Sequence, residues 1–283
     1  MTPLREDGRQ LDEEAWEPLL EFYAGAGLNG VLVLGTTGEG VLFTDQERRR
    51  VAEAAIAAAG HLCVIVHCGA QTTASTSALA AHAAEAGADG VAVIAPPYFR
   101  FDAEELLKHL AAAAAACYPL PFYVYEYAER SGYRVPITVI DELREHATNL
   151  TGMKVSDAPF ERVAPYLETG LDVFIGAEAL IPQGLEHGAV GAVSGLAAVF
   201  PEVVSGLVRE PTVERAQLAQ ALRAALSAER FQASAKAALG FRGLPVGADV
   251  RAPLRPLEES ACRRLRSALE GLLGAELRAS STA

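Results

Sequence analysis

Lysine is scarce in this chain. Lys108, Lys154 and Lys236 are the only lysines among 24 basic residues, the other 21 being arginine. Arginine therefore serves almost wherever a plain positive charge is needed. A guanidinium stays protonated at any working pH, whereas a desolvated lysine can lose its proton and attack a carbonyl. Positive charge is short overall as well. Against 36 acidic residues the net charge is −12, which argues against a nucleic-acid partner and favours solubility. No apolar run approaches the roughly 20 residues that span a bilayer. Residues 1–8 show no basic segment leading into an apolar one, so neither a membrane partner nor a secretory signal is expected. The four cysteines, Cys63, Cys68, Cys117 and Cys262, lack metal-ligand spacing. They read as reduced core thiols of a cytoplasmic protein, with no metal site.

What the sequence does contain is a repeating alternation. A helical pattern from Leu11 to Ala26 puts Leu11, Trp16, Leu19, Leu20 and Tyr23 on one face, and Gly30–Gly35 then reads as a fully buried strand. Thr44, with Glu47 three residues on, opens a helix as a capping box. Strands follow at 62–67, 90–95, 122–125, 150–154, 172–176 and 190–194. Helices fall between them at about 73–86, 103–116, 137–146, 159–167 and 178–187. Short, purely apolar strands alternating with helices imply a parallel sheet covered on both faces, and seven such units point to a (β/α)₈ TIM barrel. From Pro201 onward only helical patterns are found. The expected organisation is a catalytic barrel over 1–200 with a helical bundle over 201–283 packed on it. A barrel wants eight strands, and the missing first one should precede Thr2-Pro3. The expectation is that the native chain starts upstream of Met1.

In such a barrel the chemistry sits at the C-terminal strand ends. Those ends carry Gly35-Thr36-Thr37-Gly38-Glu39, Pro96-Pro97-Tyr98-Phe99, the stretch from Tyr125 to Gly132, and Lys154. Two threonines between glycines can turn backbone N–H groups and hydroxyls onto an anion such as a carboxylate, although Gly-rich turns after strands are common. A tyrosine at a strand end usually packs, but beside a lysine it can shuttle protons. Arg130 either clamps a second carboxylate or is a solvated loop charge. Lys108 and Lys236 lie in helical patterns, and Lys154 alone follows a buried strand.

On these residues the chain resembles the dihydrodipicolinate synthase / N-acetylneuraminate lyase family of pyruvate-handling class I aldolases. The resemblance runs from Thr2-Pro3 and Asp7-Gly8 to at least Glu202, and its most specific motifs are Gly35–Glu39 and the pair Tyr125 with Lys154. It implies a barrel with C-terminal helices, a homotetramer or dimer, and no organic cofactor or metal. It implies that Lys154 forms the Schiff base with C2 of pyruvate or another 2-oxo acid, and that Tyr125 moves protons and positions the lysine. By the same resemblance Gly35, Thr36 and Thr37 hold the substrate carboxylate, Thr37 joins the proton relay, and the backbone carbonyl near Val193 faces the pocket. The partners implied are a small 2-oxo acid and an aldehyde.

The departures concern the substrate. The family's Tyr-Asn-x-Pro reads Tyr125-Glu126-Tyr127-Ala128, with a carboxylate where an amide is common. Its two adjacent tyrosines read Tyr98-Phe99, and in the synthase the second reaches across a subunit interface to complete the relay. Arg130 matches the synthase's arginine for the semialdehyde carboxylate. Val66-His67 resembles the lyase branch, yet the lyase's sugar-binding serine aligns with Gly195. Glu178 either binds sugar hydroxyls or caps the following helix. The expected activity is a Schiff-base aldolase or dehydratase acting on a 2-oxo acid such as a 2-keto-3-deoxy sugar acid, with 4-hydroxy-tetrahydrodipicolinate synthase as the alternative. A catalytically silent pyruvate-binding barrel would have lost the lysine or the tyrosine, and both are present.

Overall fold

The computed structural model describes residues 1–274 and Leu277, which group into two compact units. The first comprises Met1–Leu62 with the described residues from Gly195 onward, and the second is Cys63–Ser194.

The first unit opens with an antiparallel hairpin, β1 (Leu4–Arg5) and β2 (Gln10–Leu11), with Leu4 opposite Leu11. Its turn needs left-handed backbone at Glu6, Asp7 and Gly8 (φ 54°, 56° and 78°). Only glycine fits the last position, because a Cβ there would lie 2.1 Å from the Val250 carbonyl oxygen. The hairpin takes Leu11 out of the helix expected from Leu11 to Ala26, which instead runs Trp16–Gly25 and buries Trp16, Leu19, Leu20 and Tyr23. Strand β3 (Gly30–Val33) follows. Helix Asp45–Ala58 then starts on the expected capping box: the Glu47 N–H donates to Thr44 Oγ1 at 3.3 Å and the Thr44 N–H to Glu47 Oε2 at 2.9 Å. Beyond Gly195 come helices Pro201–Arg209, Val213–Ser227, Phe231–Phe241 and Glu259–Leu273. The run of helical patterns expected from Pro201 is therefore interrupted. Residues 243–258 contain two glycines and three prolines and form no helix. Leu277 apart, the part of the expected 201–283 bundle beyond Gly274 lies outside the described residues.

The second unit holds β4 (Cys63–His67), β5 (Gly90–Ile94), β6 (Phe122–Glu126), β7 (Leu150–Val155), β8 (Asp172–Ile175) and β9 (Gly191–Ala192). Each pairs in parallel with the next in chain order. Helices Thr73–Glu85, Ala103–Ala116 and Ile137–His146 separate them as expected. Every residue of β5 is buried, as a parallel strand covered on both faces must be. The helices expected at 159–167 and 178–187 are shorter, Ala164–Leu167 and Ile181–Glu186, each preceded by a 3₁₀ turn. Pro165 and Pro182 fix those starts, because proline is tolerated only in the first turn of an α-helix. With β3 the chain has the seven strands of the β/α alternation, a fold of the (β/α)₈-barrel class.

Two of the thiols depart from the core reading. Cys68 and Cys117 are buried, but Cys63 is exposed at the start of β4 and Cys262 is half-buried on a helix. No helix among the described residues is long and apolar enough to cross a membrane.

Candidate active site

The strand register decides which side chains can meet. Along β6 and β7, Phe122 pairs with Leu150, but the next residue, Tyr123, pairs with Gly152. Thr151 is thus one extra residue in β7. Because side chains alternate along a strand, a one-residue shift turns every later side chain to the other face. Without it Lys154 would stand opposite Glu126; with it, Lys154 pairs with Tyr125. Gly152, the next residue, admits the close approach of β8, since a Cβ there would lie 2.3 Å from the Asp172 carbonyl oxygen.

Lys154 is half-buried, and its Nζ lies 4.1 Å from the centroid of the Tyr125 ring. An ammonium at that position is attracted to the ring's negative face. Tyr125 is itself buried, with the His67 ring edge-on at 5.7 Å and the Tyr127 ring stacked at 6.3 Å. The other two lysines are committed elsewhere. Lys108 is exposed and ion-paired with Glu104 at 2.6 Å. Lys236 is fully buried, 2.8 Å from Glu39, and donates to the Asp249 carbonyl at 2.6 Å. Lys154 alone has no carboxylate within ion-pair distance among the described residues.

Below Tyr125 lies a carboxyl pair that the sequence reading missed. Glu126 is fully buried and accepts from the Val135 N–H at 2.9 Å. Asp157, also buried, accepts from the Ala128 N–H at 2.8 Å through Oδ1, and its Oδ2 is 3.9 Å from Arg134 Nε. Glu126 Oε1 and Asp157 Oδ2 receive no hydrogen bond from any N–H donor. Two carboxyl oxygens can satisfy each other only by sharing a proton. Burial is the largest influence on Glu126 and pushes it up to about 8, with Asp157 adding to the rise and the Val135 N–H opposing it. Burial thus favours the protonated form of Glu126, whose side chain is hydrogen-bonded with Asp157. The sequence signalled only the unusual carboxylate at 126. Nothing in strand periodicity points to its partner three residues beyond Lys154.

Gly35, Thr36 and Thr37 belong to the first unit. Both threonines are half-buried. The Thr36 carbonyl accepts from the Glu39 N–H at 3.3 Å and from Gln232 Nε2 at 3.2 Å. Glu39, the acid that closes this motif, pairs with Lys236 and accepts the Arg251 N–H at 2.7 Å, so it ties together the loop, a helix and the 243–258 segment. Gly195 lies against Thr37: a Cβ there would come 2.9 Å from Thr37 Oγ1 and 3.2 Å from Arg223 Nη1. A serine at that position, as in the lyase branch, has no room without moving Thr37.

The remaining candidates stand apart. Arg130 is exposed, paired with Glu129 at 3.1 Å, with its guanidinium 5.3 Å from the Tyr127 ring centroid. Glu178 lies in the first turn of the 3₁₀ segment Glu178–Leu180, where an acid suits the turn's dipole, and accepts from Ser194 Oγ at 2.7 Å. The Val193 N–H continues the β8–β9 ladder to the Ile175 carbonyl at 3.0 Å.

A barrel-class fold with a half-buried strand-end lysine set on a tyrosine ring fits the lyases that work through a lysine Schiff base. The family model described as the dihydrodipicolinate synthetase family matches residues 1–272, and the chain belongs to that family. It is 37% identical over 270 residues to an uncharacterized DapA-like lyase of Halobacterium salinarum, covering 92% of this chain and 86% of that one. Among solved structures it resembles dihydrodipicolinate synthase from Aquifex aeolicus (28% identity, TM-score 0.87, 96% of this chain and 95% of that one). It is equally close to Proteus mirabilis N-acetylneuraminate lyase (27%, TM-score 0.87, 96% and 95%). The chain is accordingly an enzyme of the class I, lysine Schiff-base lyases that handle pyruvate.

Proposed function

We propose that the enzyme is an aldolase or dehydratase for a 2-oxo acid such as a 2-keto-3-deoxy sugar acid, with Lys154 as its Schiff-base residue. The observation that supports this is the placement of Lys154 Nζ 4.1 Å from the Tyr125 ring centroid while both other lysines are ion-paired. The neutral amine adds to the C2 carbonyl, and the carbonyl oxygen leaves as water to give an iminium. The iminium draws electrons from C3. Either a C3 proton departs or the C3–C4 bond breaks to release an aldehyde, and each route leaves an enamine. After cleavage a proton returns to C3, whereas after C3 deprotonation the enamine expels the protonated C4 hydroxyl as water; hydrolysis of the resulting iminium then releases the product and the amine. Tyr125 carries protons in these steps, Thr36 and Thr37 hold the C1 carboxylate, and Thr37 extends the relay. Arg130 remains the candidate for a second carboxylate, as in the alternative reading of a 4-hydroxy-tetrahydrodipicolinate synthase. The same reading includes a homo-oligomer working in the cytoplasm.

The test is reduction with borohydride in the presence of pyruvate, followed by peptide mass mapping. The expected adduct is on Lys154, and Lys154→Ala forms none. An adduct on Lys108 or Lys236, or none with any 2-oxo acid tried, overturns the assignment.

A further inference from the structure

Two residues beyond Tyr125 and Lys154, Tyr127 and Ser156 line a cavity of about 860 Å³ that lies wholly within the second unit. Its size suits a small organic molecule. Its charge is unusual for this chain. The net charge is −12, yet Arg100, Arg134 and Arg162 all line this one cavity. Two acids line it too, and both are engaged: Glu129 pairs with Arg130, and Asp157 accepts the Ala128 N–H and is hydrogen-bonded with Glu126. Arg134 is fixed in the wall, donating to the Arg162 carbonyl at 2.7 Å with its guanidinium 5.4 Å from the Tyr166 ring centroid. Arg100 and Arg162 have neither an ion pair nor a side-chain hydrogen bond among the described residues.

Two aromatic rings of the lining are held by hydrogen bonds. The Tyr133 hydroxyl donates to the Pro96 carbonyl at 3.0 Å and the Tyr166 hydroxyl to the Val135 carbonyl at 2.7 Å, so these rings present carbon surface to the cavity. Ser156 has an uncommitted hydroxyl, and a Cβ at Gly176 would fall 2.0 Å from it. Uncommitted guanidinium groups, a hydroxyl donor and fixed aromatic walls match an anion carried on a short carbon chain.

We propose that this cavity binds an organic phosphate or carboxylate, with Arg100 and Arg162 as the anion ligands and Ser156 as an added donor. The anion is either the far end of the substrate or a separate effector, and both make the same contacts. The site does not depend on the Schiff base, so its test runs in parallel with Lys154→Ala.

Calorimetric titration with inorganic phosphate is expected to show saturable binding in the wild type and in Lys154→Ala alike. Arg100→Ala and Arg162→Ala should each weaken it roughly tenfold, the usual worth of a charge-assisted contact. Arg263→Ala, which removes an exposed helical arginine paired with Glu259, serves as the control and should change nothing. Pyruvate condensation with glyceraldehyde and with glyceraldehyde 3-phosphate separates the two sources. A preference for the phosphorylated aldehyde that Arg162→Ala abolishes assigns the site to substrate. Phosphate binding with an unchanged aldehyde ratio assigns it to an effector. Absence of saturable binding overturns the proposal, as does equal binding in Arg100→Ala, Arg162→Ala and the wild type. Phosphate binding without a borohydride adduct on Lys154 overturns the Schiff-base assignment alone.

Discussion

At the scale of single residues, Glu126 accounts for a departure that the sequence made conspicuous. A protonated carboxylic acid offers one donor and one acceptor, as an amide does. With its proton held more tightly by burial, Glu126 stands where the motif it resembles has an amide: it accepts from the Val135 N–H and is hydrogen-bonded with Asp157. Its proton binds more tightly in the folded chain (about 8) than in the unfolded one (about 4.5). The stability this contributes is complete below about 4.5 and is lost as pH rises towards about 8. Glu126→Gln should keep both hydrogen bonds and flatten the thermal-unfolding profile across that window, leaving the variant more stable than wild type at its upper end. Glu126→Ala orphans both partners and should cost about 1–3 kcal/mol below about pH 4.5, with the deficit shrinking as pH rises towards about 8. A Gln variant with the wild-type pH slope would show that Glu126 is already ionised. Gly195 allows a second test at this scale. Gly195→Ser places a Cβ 2.9 Å from Thr37 Oγ1, so the threonine hydroxyl must turn away. If Thr37 binds the carboxylate, KM for the 2-oxo acid should rise roughly tenfold, the loss of one charge-assisted hydrogen bond. An unchanged KM removes Thr37 from that role.

At the scale of elements, the alternation was legible because each buried parallel strand is a short apolar run, with Gly, Pro or a capping residue marking where helices begin and end. Thr44 with Glu47 announced a helix start, and the start is there. The hairpin at 4–11 was not legible: Leu11 suits a helical face as well as a strand, and only its pairing with Leu4 decides. Register was hidden for a related reason. Nothing inside Leu150–Val155 states that Thr151 is extra, because a bulge is a property of two strands together. The sequence reading therefore singled out Lys154 and Tyr125 without showing that one added residue brings them to the same face. Gly152→Ala tests this directly. Its Cβ at 2.3 Å from the Asp172 carbonyl forces β7 and β8 apart or removes the bulge. Overpacking of this kind typically costs about 1–3 kcal/mol. The expected signature is lowered Tm together with a fall in borohydride-trapped pyruvate adduct at a temperature where the variant is still folded. A variant that loses stability but traps pyruvate like wild type would separate the bulge from the placement of Lys154.

At the scale of the whole molecule, the question is which reaction the family's shared apparatus has been kept for. Tyr98 and Phe99 are 86% and 65% exposed and pack edge-to-face at 4.9 Å, with Tyr98 held at φ 83°. In the synthase branch the second residue of this pair is a tyrosine that completes the proton relay in a neighbouring subunit. Phe99 has no hydroxyl to give. General acid–base help is typically worth ~10²–10⁴ in rate. Condensation of pyruvate with aspartate semialdehyde, which needs that relay, should therefore be slow in this enzyme. Cleavage of a hydroxylated 2-oxo acid can use the substrate's own hydroxyl and should not suffer. Sedimentation should first show that the protein is larger than one chain, because the relay argument needs a neighbour. Coupled assays of wild type and Phe99→Tyr with both substrate types then decide. The expected result is a rise in the semialdehyde reaction on gaining the hydroxyl, with cleavage of the sugar acid unchanged. Wild-type turnover of the semialdehyde at a rate typical of biosynthetic enzymes, with no gain from the tyrosine, would make this chain a 4-hydroxy-tetrahydrodipicolinate synthase. Arg130 would then be its semialdehyde-carboxylate ligand, and Arg130→Ala should raise KM for the semialdehyde but not for pyruvate.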